Sequence, residues 1–112
     1  MIEQILIQYL NSVLDVPVYT ETPKAPPVSY CLIERVGGGE EEHISTAEVV
    51  VQSYDSTLYK AALLNKAAKN AMLDAVVLPQ ISSVVLNSSY NYTENTQYRY
   101  QSLFDINYYE ED

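Results

Sequence analysis

The sequence predicts an α+β fold: a mostly antiparallel sheet with an N-terminal helix and a central helix packed on one face, in the order α-β-β-β-α-β-β. Three patterns predict it. Two segments carry apolar residues at steps of three and four, the spacing of a helix face. Two β-rich runs, residues 28 to 36 and 44 to 54, flank a glycine-containing stretch as the arms of a hairpin. Residues 97 to 109 alternate clearly between apolar and polar, as a half-buried strand requires.

The first helix follows from Ile2, Ile5, Leu6, Tyr9, Leu10 and Val13 on one face, with Glu3, Gln4 and Gln8 opposite. Asn11, Asp15 and Pro17 stop it by about residue 14, because proline supplies no backbone donor and pushes its predecessor out of helical geometry. Val18 to Glu21 is a short strand, and Thr22 to Pro27, with three prolines, is an extended surface connection. The hairpin arms come next, with a flexible tip expected over residues 37 to 43.

From Leu58 to Val76 the helical period returns, with Ala61, Leu64, Ala68, Ala71, Met72 and Ala75 on one face and Lys66, Lys69 and Asn70 away from it. Asp55 or Ser56 is the expected cap, accepting from free backbone amides. Pro79 closes the helical region, residues 81 to 90 form a strand, and Asn91 to Thr96 form a polar turn. In the final strand Tyr98, Tyr100, Phe104, Ile106 and Tyr108 face one way, and Arg99, Gln101, Asp105 and Asn107 the other. Residues 110 to 112 are an acidic tail.

At 112 residues the chain reads as one domain, 1–112, long enough to bury roughly two-thirds of its unfolded surface. With 47% hydrophobic and 19% charged residues it belongs with globular and not disordered chains. The single cysteine, Cys31, excludes an internal disulfide and fits a reducing compartment such as the cytoplasm. The N-terminus lacks a basic, apolar signal segment, and no apolar run approaches the roughly 20 residues of a membrane span. A soluble, unexported protein with no membrane partner is expected.

Six Lys and Arg against fifteen Asp and Glu give a formal charge of −9, which repels a phosphate backbone. Tight nucleic-acid binding is therefore not expected. The run from Arg35 to His43 holds all three glycines, three consecutive glutamates and the only histidine. It is not a phosphate loop, since no Gly-Lys-Ser/Thr follows and the next residues are acids. Glu40, Glu41, Glu42 and His43 are competent metal ligands, but consecutive carboxylates on a loop seldom converge and no second histidine assists. No metal and no cofactor is expected.

Cys31 and His43 form a nucleophile and base only on paper, because Cys31 sits among Tyr, Leu and Ile in a strand. No Gly-x-Ser-x-Gly elbow frames a serine, and acids such as Asp105 and Glu110 have no spacing that specifies a carboxylate pair. An enzyme is not expected. Eleven tyrosines without a tryptophan are a real bias, and Tyr90, Tyr92, Tyr98, Tyr100, Tyr108 and Tyr109 fall in the last quarter. Two readings stay open: cross-strand packing in a terminal hairpin, and a protein interface.

The ordered pattern resembles the tail-terminator, or tail-completion, proteins of long-tailed bacteriophages. The resemblance runs over nearly the whole chain. It is carried by the N-terminal helix, Val16-Pro17-Val18-Tyr19, the proline-rich approach to Tyr30-Cys31-Leu32-Ile33-Glu34 and the glycine-rich tip. Val49 to Ser56 leading into the alanine-rich helix, and Tyr98 to Ile106, complete it. The resemblance implies a subunit of a homohexameric ring in the virion, at the tail–neck junction, assembled in the host cytoplasm.

Its partners would be further copies of itself, the tail-tube protein and a neck or head-completion protein, with DNA only as passing cargo. No catalytic residues carry over. Interface residues expected on this reading are Tyr98, Tyr100 and Tyr108, with Gly37, Gly38, Gly39, Glu40, Glu41, Glu42 and His43 as a loop that orders on assembly. Another neck or head-completion protein is the near alternative. A small acidic nucleic-acid mimic, acting as an inhibitor or adaptor, is the alternative from a different class, supported by charge alone.

Overall fold

The computed structural model describes residues 1–41 and 43–109, leaving aside the side chain of Glu41. In chain order the elements are α1 (Ile2–Val13), β1 (Val18–Tyr19), β2 (Tyr30–Glu41), β3 (Ile44–Asp55), α2 (Leu58–Leu73), a 3-10 turn (Asp74–Val77), β4 (Ile81–Asn91) and β5 (Tyr98–Tyr108). The α+β order expected from the sequence is the order found, with the central helix packed on the sheet. The acidic tail, residues 110 to 112, and Glu42 lie outside the described residues.

The five strands lie in the order β1-β2-β3-β5-β4. Two hairpins, β2–β3 and β4–β5, stand side by side and join along β3 and β5, from Ser45↔Tyr108 to Asp55↔Tyr98. Because β3 and β4 both run antiparallel to β5, they are parallel to each other, and their connection must cross the sheet. That crossover is α2. At the other edge β1 pairs parallel with β2 through Val18↔Cys31 and Tyr19↔Leu32 only.

The strand period of two then decides the core. Cys31 and Ile33 of β2, Ala47, Val49 and Val51 of β3, and Phe104, Ile106 and Tyr108 of β5 all turn to the helix-covered face and are buried. Ile2, Leu6 and Leu10 of α1 and Leu64, Ala68 and Met72 of α2 close over them. The small alanines at 61, 68 and 75 let α2 and its extension lie close to the strands. The Tyr9 hydroxyl donates to the Ala71 carbonyl at 2.9 Å and ties α1 to α2. No helix among the described residues is long and apolar enough to cross a membrane.

Four expectations need correction. The first strand is two residues long, because only Val18 and Tyr19 reach β2. The cap of α2 is Thr57, whose Oγ1 accepts from the Lys60 amide at 3.1 Å. Asp55 ends β3 instead and accepts from Ser29 Oγ at 2.7 Å and from the Ser56 amide at 2.7 Å. The α-helix stops at Leu73 and tightens into the 3-10 turn before Pro79. The hairpin arms also run on well past Val36: Gly37 to Glu41 are strand residues paired with Ile44 to Glu48, and His43 is a turn residue.

Candidate interface site

The glycine run earns its residues at a strand irregularity. The register of β2 on β3 shifts between Arg35 and Gly37, leaving Val36 as the extra residue of a bulge. Gly38 follows at φ 137°, a region that side chains seldom enter, and a Cβ there would run into the backbone carbonyl oxygen of Thr46. A Cβ on Gly37 would come within 2.8 Å of Glu48 Oε2, whereas Gly39 faces open space. Arg35 folds back over the bulge, its Nε donating to the Gly37 carbonyl at 3.1 Å and its Nη2 to the Thr46 carbonyl at 3.1 Å. The Gly39 amide donates to Thr46 Oγ1 at 3.0 Å.

The expected contact loop is thus an extension of the strand. Gly37, Gly38, Gly39, Glu40 and Glu41 are paired in it; His43, at φ 69°, is exposed in the turn; Glu42 lies outside the described residues. Among the described residues no three His, Cys, Asp or Glu side chains gather where they could hold a metal ion.

Cys31 is fully buried, its Sγ 3.7 Å from Ser53 Oγ, and burial pushes its thiol up to about 11 against the small opposing effect of that contact. It lies at the start of β2, and His43 beyond its end, so roughly 35 to 40 Å of extended strand separates them. They do not form a dyad. A cavity of about 290 Å³ opens between the end of α1 and the start of α2, lined by Asp15, Ser29, Asp55 and Lys60 among apolar groups. Its Ser29 hydroxyl is a donor to Asp55, with no histidine or cysteine beside it to act as a base or nucleophile.

The tyrosines divide by strand parity. Tyr98, Tyr100 and Tyr108 turn to the helix-covered face, where Tyr108 is 1% exposed and part of the core, so this member of the expected interface set is consumed by packing. Tyr98 and Tyr100 are half-buried at the far end of the same strand.

The opposite face holds a larger aromatic assembly that the sequence reading did not single out. Tyr30 and Tyr54 face each other across β2 and β3 and stack at 4.6 Å, 7° from parallel. Tyr19 meets Tyr30 edge-on at 6.0 Å. Arg99, opposite Tyr54 on β5, lies 5.4 Å over the Tyr54 ring and 4.4 Å over that of Tyr92, which in turn contacts Tyr90.

The guanidinium is also fixed in place: it donates to Tyr54 OH at 2.9 Å, to the Tyr92 carbonyl at 3.2 Å and to Gln52 Oε1 at 3.4 Å, and pairs with Glu94 at 3.7 Å. Burial, then the Tyr54 ring beside it, holds the Tyr30 phenol above its ordinary range, with Arg99 pulling the other way. The signal was present in the hairpin register, which places residue 30 opposite 54 once the bulge is counted, and in the polar parity of Arg99.

Along the same open face, beyond this ladder, Leu32, Val50, Leu103 and Val85 form a diagonal apolar track across β2, β3, β5 and β4. Glu34, Glu48 and Asp105 flank it. No helix covers this side, since the buried residues of both α1 and α2 belong to the single core on the other. Tyr30, Tyr54 and Val50 are already buried within the chain, so what this face offers a partner is Val85 at 57% exposure, the half-buried Leu32 and Leu103, and the fringe of acids: an apolar strip with a polar rim. No protein-family model matches this chain, and no curated protein matches it.

Proposed function

We propose that this chain is a virion structural protein that closes a phage tail tube as a ring and joins the tail to the head or neck while letting DNA pass. What supports this most is the one-sided sheet: a two-layer subunit whose second sheet face no helix covers leaves that face available to another subunit. The order of elements, which resembles tail-terminator proteins over nearly the whole chain, supports a ring as the kind of assembly. The charge of −9 fits a ring through which a polyanion slides without sticking. A neighbouring neck layer would use the same surfaces for the same mechanical task.

Complementation tests the reading. In a phage whose own copy of this gene is deleted, expression of the chain should restore joined, infectious particles. Negative-stain images should show a ring of about six copies on the tube end, the closed symmetry expected of such a subunit. Particles that join heads to tails equally well without the chain would refute it. Capture of a nucleic-acid enzyme by a stable 12.7 kDa monomer would favour the acidic mimic instead.

A further inference from the structure

We propose that the outward face of α2 in one copy covers the open sheet face of the next, so that subunits associate head to tail. This deepens the ring reading by naming the two surfaces that meet. The helix carries apolar residues on its outward side as well as its inward one, with Lys66 and Asn70 among them. Its inner face carries Ala61, Leu64, Ala68 and Met72 into the core. Diametrically opposite, at helical spacing, stand Tyr59 at 73% exposure, Leu63 at 49%, Leu73 at 36% and, on the 3-10 extension, Val77 at 74%.

Charge points to the occupant. Three of the chain's six cations, Lys60, Lys66 and Lys69, lie on α2, which has no acid at all, although the chain as a whole stands at −9. Lys66 sits within the outward stripe, with Lys60 and Lys69 on its flanks. The acids Glu34, Glu48 and Asp105 border the apolar track on the far side of the same molecule. Among the described residues the only ion pair is Arg99 with Glu94, so none of these lysines or acids is ion-paired among them.

Two complementary surfaces therefore lie on opposite outer layers of one subunit, which is the requirement for a heterologous contact, the kind that forms a ring when the rotation between neighbours closes. Lengths agree as well. The sixteen residues of α2 span about 24 Å. The diagonal track from Leu32 to Val85 crosses four strands over about 20 Å. Covering the open face with a neighbour's helix gives each sheet helices on both sides, the arrangement that buries it fully.

Charge exchange between two variants of the full chain tests this by sedimentation velocity, with circular dichroism to verify that both fold. Lys66→Glu with Lys69→Glu should weaken self-association about tenfold or more by placing acid against acid. Glu34→Lys with Glu48→Lys should weaken it similarly, even though this variant carries less net charge and repels itself less. Mixing the two should restore association, since each then offers the other a complementary face.

Wild-type association in either variant alone, a mixture that stays dissociated, or a wild-type chain that remains monomeric at every concentration would each overturn the proposal. The tail-joining assay separates the two ideas: a Lys66→Glu, Lys69→Glu chain that joins tails normally removes this interface and leaves the ring standing. A wild-type chain that never restores joining removes the ring reading itself.

Discussion

At the scale of single residues, the three glycines are not equivalent. Gly38 combines a positive φ with a backbone oxygen where its Cβ would be, and backbone cannot move aside as a side chain can. Gly38→Ala should cost about 2 kcal/mol or more, read as a lower denaturation midpoint. Gly39→Ala, which meets nothing, should stay within about 0.5 kcal/mol of wild type. Equal effects of the two would show that the bulge does not need its glycine.

Cys31 gives a second residue-level prediction, in pH. Its thiol rises from an ordinary 9.0 to about 11 in the folded chain. The unfolded thiol ionises first, so the unfolded state binds fewer protons and stability falls as pH climbs from about 9 towards 11. Each unit is worth about 1.4 kcal/mol at most. The phenols of Tyr9 and Tyr30 are also raised from 10.0, by burial first, and add to the loss as pH climbs above that value. Subtracting a Cys31→Ala variant isolates the thiol: its stability should fall less over this window, and parallel pH profiles would refute the assignment.

At the scale of elements, α2 is pinned to the sheet by a closed polar triangle. Ser102 Oγ donates to Asn65 Oδ1 at 2.7 Å, Asn65 Nδ2 donates to Ser89 Oγ at 2.9 Å, and the two serine hydroxyls lie 2.9 Å apart. Asn65 and Ser102 are 6% and 1% exposed, so removing one member strands the other away from water. Asn65→Ala should destabilise by about 2 to 3 kcal/mol in chemical denaturation, and double replacement with Ser102→Ala should cost clearly less than the sum of the singles. Strict additivity would mean the triangle is not a unit.

Both helices and the last strand were legible in the sequence because their apolar periods were long, and β4 because Pro79 and the polar run from Asn91 bound it. The distal half of β2 was not, because glycines carry no side chain to alternate and favour turns. Asn65 was missed for a related reason: a buried amide breaks the apolar stripe that marks the inner face.

At the scale of the whole molecule, what the sequence could not disclose is which strands are neighbours. Both hairpins were readable locally, but the β3–β5 junction joins residues some fifty positions apart, and the Tyr30–Tyr54–Arg99–Tyr92 ladder exists only once that junction is made. The same topology sets a gradient of stability. β3 and β5 are bonded on both sides over their full length and carry Val49, Val51, Phe104 and Ile106 at the centre of the core. β1 contributes two residues, and the outer edge of β2 runs free of it from Ile33 onwards.

Amides that open only when the whole chain unfolds should therefore lie in β3 and β5, while those of β1 and the outward-facing amides of the distal half of β2 should exchange through local opening. Native-state hydrogen exchange would resolve the two classes by several kcal/mol of opening free energy, approaching the full unfolding value in the central pair. Equal protection across all five strands would contradict this order. The order matters for assembly, because a rigid central pair holds the open-face residues in register while the less tightly bonded edges adapt to a neighbour.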